Sequence, residues 1–65
     1  MNITLNGAAC ETAATDLAAA LVELGFADAV VATAVNGAFV PAAARGDFQL
    51  NSGDQIEVLA PMQGG

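Results

Sequence analysis

Histidine, lysine, tryptophan and tyrosine are absent from this 65-residue chain, and cysteine and arginine occur once each, as Cys10 and Arg45. That inventory leaves no strong side-chain seat for acid–base or nucleophilic chemistry. A single cysteine cannot close an internal disulfide, which points to a reducing, cytoplasmic setting. Basic charge is equally scarce: the net charge is −6. Nucleic acid and anionic membrane surfaces are therefore poor partners, since both need Lys and Arg to neutralise phosphate. The acidity suits a partner with a basic docking face, and serves solubility equally well. Long apolar runs are missing too. Asp16, Glu23 and Asp28 interrupt them before they reach a membrane span, and Met1 to Asn6 has neither a basic start nor an apolar signal core. Asp16, Glu23, Asp28, Asp47, Asp54 and Glu57 are scattered along the chain, so no metal site is expected.

The apolar fraction is 55%, but sixteen of those residues are alanines, and seventeen large Ile, Leu, Val and Phe side chains remain. That is enough for one small core and no deep active-site cavity. Met1, Ile3 and Leu5 alternate with Asn2 and Thr4, the period of a half-buried strand. Asn6-Gly7 then signals a hairpin turn, because both central residues of such a turn need positive φ. Ala8 to Thr12 is expected to return as a second strand. From Thr15 to Leu24 the period changes, with Leu17, Ala20, Leu21 and Leu24 forming one helical stripe. Thr15 is expected to cap this helix, Asp16 to sit in its first turn, and Gly25 to stop it.

Val30 to Val35 reads as a strand, Asn36-Gly37 as a second hairpin turn, and Ala38 to Val40 as its return, ended by Pro41. Ala42 to Phe48 is expected to be a turn or short helical bend. After the turn cluster Asn51-Ser52-Gly53-Asp54, Gln55 to Ala60 alternates, with Ile56, Val58 and Ala60 on one face and Gln55, Glu57 and Leu59 on the other. The order strand, strand, helix, strand, strand, bend, strand predicts an α+β chain of the β-grasp type. We expect a mixed sheet of four to five strands with one main helix across one face. The domain spans 1–60, and 61–65 is a flexible tail.

The chain closes on Gly64-Gly65. A terminal glycine presents a carboxylate whose neighbouring carbon has no side chain, so it can thread a narrow cleft. With no competing chemistry, the Gly65 carboxylate is the candidate reactive group. Extended, Ala60 to Gly65 would reach roughly 20 Å into a partner. Pro61 would stiffen the base of a tail that continues through Met62 and Gln63.

These residues carry a resemblance. Asn6-Gly7, Leu24-Gly25, Val35-Asn36-Gly37, Val40-Pro41, Gly53-Asp54-Gln55-Ile56-Glu57-Val58 and Gly64-Gly65 recur in order in the sulfur carrier proteins of thiamin thiazole synthesis. The chain resembles that ThiS family, whose members are ubiquitin-like β-grasp domains. The resemblance implies a co-substrate and not an enzyme. A ThiF-like adenylyltransferase of the ubiquitin-activating type would use ATP to adenylate Gly65. Sulfur from a donor such as a cysteine desulfurase would convert the adenylate to a thiocarboxylate, which a ThiG-like thiazole synthase would consume. No cofactor is bound by the carrier itself. Many members have Arg after the Val-Pro pair and an aromatic shortly beyond; here Ala42 follows Pro41 and Arg45 takes the aromatic's place. Two relatives of this function stay open: the small subunit of molybdopterin synthase, and a ubiquitin-like protein modifier.

Phe39, Arg45, Phe48, Leu59 and Met62 are candidates for the partner interface. Core packing is an equal or better expectation for the two phenylalanines, while Leu59 and Met62 are the better interface residues. Arg45 is expected to be solvated at the surface, with an anchor for a partner carboxylate as the sharper alternative. Cys10 is expected to be a small strand residue, and Asn6 and Asn36 to be turn formers.

Overall fold

In the computed structural model, residues 1–60 are described. Strand β1 (Asn2–Leu5) turns into β2 (Ala8–Glu11), helix α1 (Leu17–Glu23) follows, and β3 (Ala32–Val35) turns into β4 (Ala38–Val40). A 3-10 helix (Ala42–Asp47) then leads to β5 (Gln55–Leu59). The five strands form one sheet in the order β2-β1-β5-β3-β4. Strand β5, last in the chain, lies at the centre, parallel to β1 and antiparallel to β3. This is the expected β-grasp arrangement, with five strands in the sheet.

Strand alternation sorts the side chains into two layers. Ile3, Thr33, Val35, Val40, Ile56 and Val58 are buried. They meet Leu17, Ala20 and Leu21 of α1, together with Leu50, in one core. Leu5, Cys10, Phe26, Val31, Ala44 and Phe48 pack around it. Thr33 is the one hydroxyl among the strand residues of this layer buried to 2%, and its Oγ1 donates to the Val40 carbonyl at 2.8 Å. That bond removes the cost of an unsatisfied polar group in the core.

Both hairpins turn as expected. Asn6 and Gly7 have φ of 50° and 85°, and Asn36 and Gly37 have 52° and 83°. Two successive left-handed residues match the twist of the flanking strands, and Asn with Gly tolerates that region at least cost.

The helix starts later than its periodicity predicts. Thr15 is not the cap. Its carbonyl accepts from Leu50 N–H at 2.9 Å, and Asp16 stays extended as it bridges Gln49. The cap is Asp16, whose Oδ1 accepts from Ala19 N–H at 2.8 Å. A cross-chain pairing thus wins over the first turn of helix. At the other end Gly25 takes φ of 95°. Phe26 N–H donates to Leu21 O and Gly25 N–H to Val22 O, the two bonds of a Schellman ending. Strand β3 begins at Ala32 and not at Val30, and Val30 is 80% exposed.

Candidate functional site

Three features surround the last strand: what holds it, what lies on its open face, and where it leads. It is held from both sides by the two turn asparagines. Asn6 Oδ1 accepts from Val58 N–H at 2.8 Å, and its Nδ2 donates to Val58 O at 3.2 Å. The side chain thereby acts as an extra peptide unit, carrying the β1–β5 pairing past the end of β1. Asn36 does the corresponding work on the other flank. Its Oδ1 accepts from Gln55 N–H at 2.9 Å, and its own N–H donates to Gln55 O at 2.8 Å. Asn36 Nδ2 also donates to Asp54 Oδ1 at 3.0 Å, while Asp54 Oδ2 accepts from Asn51 N–H at 2.8 Å. Asp54 is 8% exposed, so these bonds satisfy a carboxylate that burial would otherwise penalise. The turns were expected from sequence; these side-chain clamps were not. A hairpin signal reports φ and says nothing of a strand some fifty residues away.

The sheet face turned from α1 is open. Cross-strand partners share a face, and the register pairs Ala32 with Leu59, Ala34 with Glu57, and Ala34 with Phe39. Leu59 and Phe39 are 65% and 69% exposed. Between them the alanines of β3 leave low ground, so two large apolar side chains stand over a shallow floor. For Phe39 this corrects the expectation of core packing: it sits across from Ala34, on the face that α1 does not cover. Phe48 is half-buried against the core, as the packing expectation had it.

Arg45 is neither solvated nor projecting. It is half-buried, with Nε donating to Thr33 Oγ1 at 3.0 Å and Nη2 to Val31 O at 2.6 Å. The guanidinium therefore staples the 3-10 helix to the start of β3. Cys10 is half-buried in β2 and packs against the core. Among the described residues no group of three or more His, Cys, Asp or Glu could hold a metal ion. No described helix is long and apolar enough to cross a membrane. Pro61, Met62, Gln63, Gly64 and Gly65, the tail assigned from sequence, lie outside the described residues.

The family model of the ThiS family matches residues 3–65, from β1 through the terminal glycine pair. This chain belongs to the ThiS family. Its backbone is also similar to the crystal structure of a thiamine biosynthesis protein, ThiS, from Geobacter metallireducens, with a TM-score of 0.85. The two are 29% identical, and the likeness covers 100% of each chain. No curated protein gives a significant sequence match. The ThiS match extends over both asparagine clamps, the open apolar face and the Gly64-Gly65 end, so the features above belong to one continuous homologous unit.

Proposed function

We propose that this ThiS-family chain is a sulfur carrier for thiamin biosynthesis, with the Gly65 carboxylate as the working group. The observation that carries the reading is the family match running through residue 65, joined to a fold whose central strand leads directly toward that end. The chemistry follows from the leaving group. A carboxylate is a poor acyl donor because it would have to expel oxide. Attack of a Gly65 oxygen on the α-phosphorus of ATP releases pyrophosphate and leaves an acyl adenylate. A persulfide sulfur on the donor then displaces AMP to give an acyl disulfide. A second thiol attacks the donor-side sulfur, forming a disulfide there and releasing the thiocarboxylate. That thioacid is nucleophilic at neutral pH and delivers sulfur to thiazole synthase without freeing sulfide.

In this reading the protein lowers no barrier. The activating adenylyltransferase and the synthase supply the catalytic groups, ATP is bound by the former, and a cysteine desulfurase is a suitable sulfur source. Leu59 and Phe39 form the apolar floor on which these partners dock in turn, and the tail enters their clefts. The clamps on Gln55 and Val58 hold the strand that precedes it. Cytoplasmic location follows from the single thiol and the ATP-dependent step. Between thiazole and molybdopterin chemistry, the full-length likeness to a thiamine biosynthesis protein favours thiazole.

Incubation with ATP, a matched activating enzyme and a sulfur source tests this by intact mass. The expected product has one oxygen replaced by sulfur, localised to Gly65. An unchanged mass under conditions that convert another ThiS carrier would overturn the reading. Gly65→Val should abolish adenylation while leaving the circular dichroism spectrum unaltered, because a branched side chain blocks a cleft shaped for glycine.

A further inference from the structure

A second recess lies on the helix layer, remote from the Phe39–Leu59 face. Ala18, Leu21 and Val22 of α1, Phe26 of the Schellman ending, and Arg45 of the 3-10 helix surround a cavity of about 230 Å³. Pockets for drug-sized ligands run from roughly 300 Å³ upward. This one is scaled to a single side chain. The side chains that line it are apolar except for Arg45, which carries the only side-chain cation in a chain of net charge −6.

Arg45 is well prepared to receive an anion. Its Nε and Nη2 bonds end on neutral oxygens of Thr33 and Val31, so they orient the guanidinium without neutralising it. A planar fork already held in place loses less freedom on binding than a solvated one. Nη1 and the second Nη2 hydrogen take no part in those two bonds. Elsewhere the acidic surface repels a carboxylate; here aliphatic and aromatic side chains and a fixed positive charge line one recess.

We propose that this cavity receives an aliphatic side chain of a partner protein, with the carboxylate beside it held by Arg45. The site is independent of sulfur transfer and would persist in a chain with no working terminus. Because it opens on the layer opposite the bare sheet face, it can be filled while that face is occupied. The Schellman ending brings Phe26 and Leu21 together at the cavity, their backbones joined by the Phe26 N–H to Leu21 O bond of 2.8 Å.

The test is a pair of probes titrated into the full ¹⁵N-labelled chain at low salt: N-acetyl-leucine, a carboxylate, and N-acetyl-leucinamide, its neutral counterpart. The carboxylate should shift the amide signals of Ala18, Val22 and Ala29 and the Arg45 Nε–H signal. The neutral probe should bind about tenfold more weakly, the value of one charge-assisted contact. Arg45→Gln should erase that difference. Because Arg45 also staples β3, Val22→Glu serves as a second variant. It places a like charge at the rim from a position 62% exposed, and should weaken the carboxylate probe several-fold more than the neutral one. Equal binding of the two probes, binding of neither, or shifts centred on Phe39 and Leu59 would each overturn the proposal. So would movement of the Gly64 and Gly65 signals in unliganded Arg45→Gln, which would make the chain's own terminus the occupant.

Discussion

The two hairpins share a turn sequence and a purpose, yet they differ in where they grip β5 and in what they show to solvent. The β1–β2 hairpin holds the exit of the last strand, through Asn6 and the two neutral backbone groups of Val58. The β3–β4 hairpin holds its entry, through Asn36, Gln55 and the buried carboxylate of Asp54. On the uncovered face the first hairpin presents Asn2, Thr4 and Glu11, whereas the second presents Ala32, Ala34 and Phe39. One hairpin is thus a polar anchor at the end of β5, and the other supplies both the heavier electrostatic clamp and the exposed apolar surface of Phe39. Equal turn signals do not imply equal roles.

The asymmetry can be broken most severely at Asn36. Asn36→Ala removes the bond to a charged acceptor and the bond from Gln55, and forces alanine into a left-handed conformation. Together these should cost about 3 kcal/mol of unfolding free energy in urea titration. Asn36→Gly keeps the turn and removes only the side chain, so about 2 kcal/mol is expected. Asn6→Gly loses two neutral bonds and should cost about 1 kcal/mol. A cost equal to that of Asn36→Gly would remove the distinction between the clamps.

A rate measurement sharpens the same contrast. Asn6 grips nearer the tail, so Asn6→Gly should slow adenylation more than Asn36→Gly does at temperatures where both are folded. The reverse order would separate the clamps from tail positioning. The smallest stability effect belongs to the exposed pair Phe39 and Leu59. Phe39→Ser and Leu59→Ser should each change unfolding free energy by no more than about 0.5 kcal/mol. They should nonetheless raise the KM for the carrier in the activating reaction. Unaltered KM in both would remove the face from partner docking.

Most of the fold was legible because local rules and tertiary packing agree along this chain. Asn6-Gly7 and Asn36-Gly37 both demand and receive positive φ, and the Ile56–Val58 alternation falls on the core as its period requires. The misses share one cause, a distant partner invisible to local pattern. Thr15 lost the cap because its carbonyl pairs with Leu50. Arg45 looked like a surface cation until β3 supplied Thr33 and Val31 as acceptors. Phe39 looked like core by composition, and only strand order reveals that it lies on the uncovered side. For the site, the terminal glycines and Leu59 stood out by residue type. The asparagine clamps on Gln55 and Val58 did not, since asparagine in a turn is already explained by the turn.

Strand order also bears on how the chain is made. Synthesis delivers the β1–β2 and β3–β4 hairpins before the strand that joins them, and β5 must pair with residues roughly fifty positions upstream. Contacts of that span close late in folding. Until Gln55 to Leu59 are available, the hairpins have no common partner and the core lacks Ile56 and Val58. A chain cut short before β5 therefore cannot complete the sheet. The domain becomes stable only when synthesis has come within a few residues of its glycine pair. Closure of the sheet therefore waits on β5, the strand that both hairpins share.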